Sequence, residues 1–220
     1  MSHRLIDLTM DIAEGMQTFP AHWHPFVEIT QMGRHGIENR ETRKLVLGTH
    51  TGTHMDAPRH FVPGGVTVEA IPLEQLVGEA VLLDFHAVAP LTEIGVEGIE
   101  QALAGRTPER VIVRFGWDRM LGTMAYYTDH PYLSKEACRW LVERGCRLIA
   151  LDTPMPDNPK NGARSVEDSP NHKIFLGSGV VIVEYLVNTM AIRAPVVELI
   201  VAPLKIRSGD GAPVRCFVRE

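Results

Sequence analysis

The densest set of chemically active side chains lies in HTGTHMDAPRHF, residues 50–61, which holds three histidines and one aspartate. The four side chains are His50, His54, Asp56 and His60. All four have even numbers, so a locally extended backbone would point them to one face. Imidazole and carboxylate together suit zinc, manganese or iron, and a cluster without cysteine is unlike a closed structural zinc site. The stretch therefore predicts an open, catalytic metal site.

The backbone of this stretch must curl if its side chains are to meet. A straight strand rises about 3.3 Å per residue and would hold His50 and Asp56 roughly 20 Å apart. Gly48, Gly52 and Pro58 are the positions where a curl can form, because glycine reaches dihedrals that other residues avoid and proline stops ladder pairing. A helix fits worse, since Pro58 would break it.

A second set of polar side chains lies near Glu184, inside the apolar run VVIVEYLV. An unpaired carboxylate buried there would be costly, so Glu184 needs a metal, a cation or a proton. The sequence offers Arg193 or Arg207 as an ordinary ion-pair partner. It also offers His172, in a short helix predicted after Pro170, if the GSG turn folds that helix back over the strand. This second pair would complete another metal shell.

An aromatic loop, GMQTFPAHWHPF at residues 15–26, precedes these segments. Phe19 and Trp23 either pack within the loop or form the wall of a substrate pocket, which is typically apolar with a few polar groups. His22 and His24 have no carboxylate nearby in the sequence, so we interpret both as surface residues.

Composition indicates one globular domain over residues 1–220, with 45% hydrophobic and 22% charged residues. A net charge of −5 and the lack of a Lys/Arg-rich run argue against nucleic acid or an anionic membrane as partner and favour a small molecule. The three cysteines form no CxxC pair, which argues against a disulfide framework. No apolar run is long enough to cross a bilayer, and we expect a cytoplasmic protein.

Strands and helices alternate along the chain, which predicts an α/β fold with a mixed central sheet and helices packed on it. One helix is expected with Pro72 near its start and Gly78 just past its end, a second at 93–104, and a third after Ser134, which should cap a helix that stops at Gly145. The predicted strands lie at 4–9, 26–31, 41–47, 79–85, 110–116 and 147–152, followed by two in the tail, 196–218, joined by an SGDG turn.

The pattern HxGTHxDxPxH in residues 50–60 resembles the hallmark of the cyclase family of metal-dependent hydrolases, which includes bacterial kynurenine formamidase and isatin hydrolase. The resemblance continues through FGWDRM at 115–120, LDTPMPD at 151–157 and NHKIFLGSGVVIVEYLVN at 171–188. It implies the family's swivelling β/β/α fold and assembly as a homodimer or homotetramer, in which the N-terminal loop helps to line the adjoining subunit's pocket.

The resemblance also implies a role for each residue of the site. One metal ion would be held by His50, His54 and Asp56, and a second by Asp56, His172 and Glu184. Some members hold a single ion; zinc is the first expectation and manganese the alternative. His60 would be the catalytic acid/base, while Asp152 would shape a strand end rather than bind metal.

The implied reaction is hydrolysis of a carbon–nitrogen bond in a formamide, aryl amide or cyclic amide by a metal-activated water. The expected walls for an aromatic or cyclic substrate are Phe19, Trp23, Phe61 and Trp117. Two alternatives stay open at this point. The same metal site would serve a lactonase or a dehydratase, and the same scaffold would serve a non-catalytic metal- or ligand-binding protein.

Overall fold

The computed structural model describes residues 4–162 and 165–220. The strands are β1 Leu5–Asp7, β2 Glu28–Gly33, β3 Thr42–Val46, β4 His54–Asp56, β5 Val77–Asp84, β6 Glu93–Ile94, β7 Arg110–Arg114, β8 Tyr132–Leu133, β9 Leu148–Leu151, β10 Val181–Glu184, β11 Val196–Pro203 and β12 Gly211–Arg219. The α-helices are α1 Leu73–Leu76, α2 Val96–Leu103, α3 Ala125–Thr128, α4 Lys135–Glu143 and α5 Pro170–Gly177. Single 3-10 turns lie at Pro58–His60, Val68–Ala70, Trp117–Met120 and Thr189–Ala191.

The central sheet is mixed and closes on itself. Its eight strands run in the order β1-β12-β11-β5-β7-β9-β10-β4, and β4 also pairs with β12. The pairs β5–β7, β7–β9 and β9–β10 are parallel, whereas both pairings of β4 are antiparallel. Closure through β4 turns all but β1 into a barrel-like ring. The predicted α/β class, with a mixed sheet and packed helices, is confirmed.

Alternation along the buried strands builds a core on each face of the ring. On β9, Leu148 and Ala150 join an apolar cluster with residues of β10, β11 and β12. Ile149 and Leu151 point the other way, into a second cluster that includes Leu141 of α4. Two opposed apolar faces explain why β9 is buried along its whole length.

Most predicted elements are present, with two shifts at helix ends. Ser134 caps α4 as expected, its hydroxyl accepting a hydrogen bond from the Ala137 amide at 3.0 Å. The helix expected to stop at Gly78 is the single turn α1, and Gly78 lies within β5. A Cβ at that glycine would come 2.8 Å from the Arg110 guanidinium, so the residue allows a close approach rather than ending a helix. The helix expected at 93–104 begins at Val96, because β6 occupies the two preceding positions.

The hairpin formed by β2 and β3 pairs with no other strand in the described part of the chain. It confirms the strands expected at 26–31 and 41–47, and β3 is exposed along its whole length. Within residues 4–162 and 165–220, no helix is long and apolar enough to cross a membrane.

Candidate metal centre

Strand β4 carries His54 and Asp56, and it is held in place by pairing with β10 on one side and β12 on the other. Its register sets His54 opposite Glu184 and Asp56 opposite both Ile182 and Gly211. His54 and Asp56 are two residues apart and so share a face, while Met55 between them enters the core. His54 Nε2 lies 3.3 Å from Asp56 Oδ1 and 3.4 Å from Glu184 Oε2. His54 and Asp56, which were expected to share a face, therefore have a second carboxylate, that of Glu184, beside them.

The curl that brings the other two histidines in is made at Gly52 and Pro58. Gly52 has a φ of +62°, in the left-handed region, and the chain turns there so that His50 Nδ1 lies 2.7 Å from Asp56 Oδ1. Pro58 opens the 3-10 turn that carries His60. The rings of His50 and His60 are neighbours, with centroids 3.9 Å apart and planes tilted by 33°.

Helix α5 supplies the last histidine, held by a buried carboxylate that sequence reasoning missed. Asp157 accepts hydrogen bonds from the backbone amides of Asn171 and His172 and contacts His172 Nδ1 at 2.5 Å. The ring is thereby turned so that Nε2 lies 3.1 Å from Glu184 Oε1 and 3.5 Å from Asp56 Oδ2. His172 was expected to meet Glu184 if the GSG turn folded the helix back over the strand, and the structure contains this contact.

His50, His54 and His172 each direct one ring nitrogen at the buried carboxylates and the other at a fixed acceptor. The outer nitrogen of His54 faces the Gly52 carbonyl at 2.8 Å, that of His50 faces Asp210 at 2.9 Å, and that of His172 faces Asp157. Metal-bound histidines nearly always have such an outer acceptor, which fixes the ring and the nitrogen that binds. Asp210 was also missed, because SGDG was interpreted only as a turn.

The buried carboxylates have unmet bonding capacity. Asp56 and Glu184 are 1% and 4% exposed. Within the described residues, neither Asp56 Oδ2 nor Glu184 Oε1 accepts a hydrogen bond, although both lie within 3.5 Å of His172 Nε2. Orphaned oxygens at such depth are rare and call for a cation or an ordered water. With imidazole nitrogens beside them, they form the mixed nitrogen and oxygen donor set that divalent transition metals prefer. The residues present fit a metal ion.

Among residues 4–162 and 165–220, two groups have donor atoms that all lie within 4.8 Å of one another, and Asp56 belongs to both. One comprises His50, Asp56 and His60, and the other comprises His54, Asp56 and Glu184. The geometry accommodates one or two ions, and it places His60 near enough to be either ligand or catalyst. A test on His60 must therefore measure metal content as well as rate.

Proton release on metal binding tests the charge on His54. Burial opposes the charged imidazole, but hydrogen bonds to Asp56 and Glu184 outweigh it and raise the pKa of His54 to about 10. In the metal-free protein, protonated His54 therefore contributes to the free energy of unfolding. That contribution is complete below the unfolded pKa of about 6.5 and is lost as the pH rises through about 10. Zinc must displace the proton, so we expect zinc affinity to increase with pH between about pH 6 and pH 8.

Calorimetry at pH 7 in buffers of different ionisation enthalpy measures the protons released. Wild type should release about one proton more per zinc than the His54→Gln variant, which has no imidazole there to deprotonate. Equal release by the two proteins, at equal stoichiometry, would show that His54 is neutral before zinc binds.

Metal content and thermal stability together identify the partner of Glu184. Within the described residues it contacts His54 and His172, and neither Arg193 nor Arg207 forms an ion pair with it. We expect Glu184→Gln to fold normally but to bind fewer ions per chain, as measured by elemental analysis beside a thermal melt. The exposed Glu167, paired with Lys135, provides the control variant Glu167→Gln, which should keep full metal content. Loss of folding at unchanged metal content would point to a structural role.

An open cavity of about 340 Å³ lies over these residues. The residues that line it are Phe19, Trp23, His24, His50, His54, Asp56, His60, Phe61, Pro154, Met155, Gly162, Asp168, Ser169, His172, Glu184 and Tyr185. Three of the four aromatic side chains expected as walls are thus at the cavity. Trp117 is not, because it is buried and its indole N–H donates to the Tyr126 carbonyl at 3.1 Å.

His24 was wrongly interpreted as a surface residue, whereas His22 is exposed as expected. The His24 ring is half-buried, with its centroid 6.1 Å from that of His50. Burial, followed by the neighbouring imidazoles, lowers the pKa of His24 to about 4, so it presents a neutral ring to the cavity. Periodicity gave no signal for it, because loop residues are positioned by long-range packing.

Asp152 lies at the end of β9, where it accepts hydrogen bonds from the amides of Phe115 and Gly116 and from the Thr189 hydroxyl. Burial raises the pKa of its carboxyl to about 6. Its contacts join three chain segments and involve none of the histidines around Asp56, which agrees with the expected role in shaping the strand end.

Comparison with known proteins gives a consistent result. The family model described as "Putative cyclase" matches residues 6–158. Kynurenine formamidase from Salinibacter ruber is 31% identical over 98% of this chain and 97% of the relative. Kynurenine formamidase from Bacillus mycoides is 31% identical over 97% and 96% of the two chains.

Solved structures of the same architecture cover nearly the whole chain. Isatin hydrolase A from Labrenzia aggregata, bound to benzyl benzoate, superposes with a TM-score of 0.84 at 28% identity, over 99% of this chain and 93% of its own. A "predicted metal-dependent hydrolase" from Bacillus stearothermophilus superposes with a TM-score of 0.80 at 26% identity, over 100% and 99%.

Proposed function

This chain belongs to the cyclase family, and we propose that it is a metal-dependent hydrolase that cleaves the carbon–nitrogen bond of a formamide, aryl amide or cyclic amide. The observation that carries the proposal is the pair of buried carboxylates with orphaned oxygens, enclosed by His50, His54 and His172 at the base of a cavity. Relatives named for formamide and isatin hydrolysis support the amide class.

The cavity suits a small substrate with a flat ring. Its volume of about 340 Å³ is at the lower end of the range for small-molecule sites. Phe19 and Phe61 present aromatic faces, with Trp23 and Met155 completing the apolar wall. The polar part of the lining includes the side chains that would hold the metal, so a ring would pack among the aromatic groups while its amide carbonyl reached the metal site.

The chain supplies both the metal ligands and a proton donor. Asp56 would bridge two ions, one with His50 and His54 and the other with His172 and Glu184. A divalent ion held there lowers the pKa of water and polarises a carbonyl. His60, beside His50 at the cavity, would deliver a proton to the leaving nitrogen, a task that suits imidazole because its unperturbed pKa is near neutrality. The outer acceptors Asp157 and Asp210 keep the rings oriented.

Turnover by metal-loaded protein tests the proposal. Protein loaded separately with zinc and with manganese should hydrolyse N-formylkynurenine or isatin, measured by loss of substrate absorbance, and chelator-treated protein should not. A panel of lactones and hydroxy acids run in parallel identifies a lactonase or a dehydratase. Full metal content with no turnover on either panel would favour a binding protein instead.

We expect the chain to assemble with copies of itself as a homodimer or homotetramer, and the β2–β3 hairpin is the surface that supports this. Met32, Ile37 and Leu45 are 61%, 69% and 53% exposed, an unusual concentration of apolar side chains on an isolated hairpin. Light scattering should give a mass of two or four times 24.4 kDa for wild type. Leu45→Lys should lower that mass, whereas Lys44→Arg, its neighbour, should not; equal masses would exclude the hairpin as the interface.

A further inference from the structure

Asp210 stands between the metal cluster and the proposed acid/base. Its Oδ2 atom lies 2.9 Å from His50 Nε2 and 3.4 Å from His60 Nδ1. One carboxylate oxygen thus faces a ring nitrogen of each of two neighbouring imidazoles. The Asp210 side chain is 40% exposed, so the carboxylate that contacts both imidazoles is itself partly open to solvent.

The backbone around Asp210 is built to hold it in this place. The Asp210 carbonyl accepts a hydrogen bond from the Ala57 amide at 2.9 Å, and the next residue, Gly211, pairs with Asp56. A Cβ at Gly211 would lie 2.7 Å from His50 Cε1, so only glycine lets the start of β12 approach the ring this closely. The two chain segments are therefore locked together at the point where the carboxylate meets the histidines.

We propose that Asp210 is a positioning residue that fixes the tautomer and orientation of His60 while it holds the outer nitrogen of His50. A neutral imidazole has a single N–H, and donation of that proton from Nδ1 to the carboxylate leaves Nε2 with its lone pair as the nitrogen available at the cavity. That nitrogen would first accept the proton that the attacking water gives up and would then deliver it to the leaving nitrogen. The contact at 3.4 Å is at the outer limit of a hydrogen bond, and such contacts tighten when a site is loaded.

This inference rests on the proposed role of His60, but its test does not require turnover. Zinc-saturated protein labelled with ¹⁵N-histidine shows the tautomer of each ring through long-range proton–nitrogen correlations, and a His60→Gln sample assigns the signals of His60. We expect wild type to carry the proton on Nδ1 of His60. Asp210→Ala should shift the population to the Nε2–H form, and the isosteric Asp210→Asn, which preserves shape if the alanine variant does not fold, should weaken the preference.

Kinetics provide the second measurement. At saturating zinc, Asp210→Ala should lower kcat about 10- to 100-fold, as loss of an outer partner does, with KM little changed. The matched control for the tautomer is Asp168→Ala, which removes a carboxylate that lines the cavity, pairs with Lys173 and touches neither histidine. It should leave the His60 tautomer unchanged.

The outcomes separate the two proposals. An Nδ1–H tautomer that persists in both Asp210 variants would overturn the positioning role, whatever the rates. If wild type hydrolyses no amide but the tautomer shifts in Asp210→Ala, the positioning role is supported and the proposed function is not.

Discussion

Asp56→Ala should purify without bound metal and show no measurable hydrolysis. Asp56 is the residue common to both groups of donor atoms, so its removal takes an oxygen from each possible ion. Elemental analysis and turnover of N-formylkynurenine measure the two losses together. Because metal bound to the folded state adds stability by mass action, about 2.7 kcal/mol at 100 times the dissociation constant, the variant should also melt at a lower temperature than metal-loaded wild type.

A chelator separates the metal's contribution from the packing of Asp56 itself. After metal removal, the gap in melting temperature between wild type and Asp56→Ala should narrow, because only wild type had metal to lose. Asp168→Ala removes a carboxylate from the same cavity and should keep both metal and melting temperature. Full metal content in Asp56→Ala would show that no ion depends on this carboxylate, and the bridging role would be wrong.

Part of the geometry of the candidate site was predicted from the sequence, because side-chain spacing along a strand and the free-energy cost of burying a charge depend on local sequence. Even numbering predicted that His54 and Asp56 share a face, and they do so in β4. The cost of an unpaired carboxylate in an apolar run indicated that Glu184 needs a partner, and the structure places His172 beside it. Both arguments use only strand periodicity and the energetics of buried charge.

Closure of the sheet could not be predicted in this way. The register that sets Asp56 opposite Gly211 joins residues far apart in the chain, and strand periodicity carries no information about which strand pairs with which. The position of Asp210 follows from that register, so its carboxylate looked like part of an ordinary turn. Asp157 was overlooked for a similar reason, since its partners Asn171 and His172 lie 14 and 15 residues further along the chain, on α5.

The aromatic residues show the limit of composition as a guide. Trp117 follows Gly116 and Phe61 follows His60, each within a motif of the family resemblance. Trp117 is nevertheless packed in the core, whereas Phe61 lies at the cavity. Tryptophan is large enough to satisfy either role, and its N–H needs a hydrogen-bond acceptor whenever it is buried. The Tyr126 carbonyl supplies that acceptor, so the buried Trp117 has its hydrogen-bond partner within the core and does not line the cavity.

His60→Ala should keep its metal but lose rate by roughly 10²- to 10⁴-fold, the usual range for removal of a general acid or base. The loss should fall on kcat rather than KM, because proton delivery to the leaving nitrogen is an interaction made in the transition state. For the same reason the loss should shrink with anilides whose leaving group is already acidic. Rates over a series of substituted anilides, with elemental analysis of each preparation, measure both effects.

The matched control is His86→Ala, which removes an exposed histidine paired with Asp84 outside the cavity and should leave rate and metal unchanged. The informative alternative is loss of metal. His60, His50 and Asp56 have donor atoms close enough together to hold an ion among themselves. If His60→Ala purified without metal, the imidazole would be a ligand, and another group would have to protonate the leaving nitrogen. Retained metal with a rate loss that grows as the leaving group becomes more basic is the result that a proton donor requires.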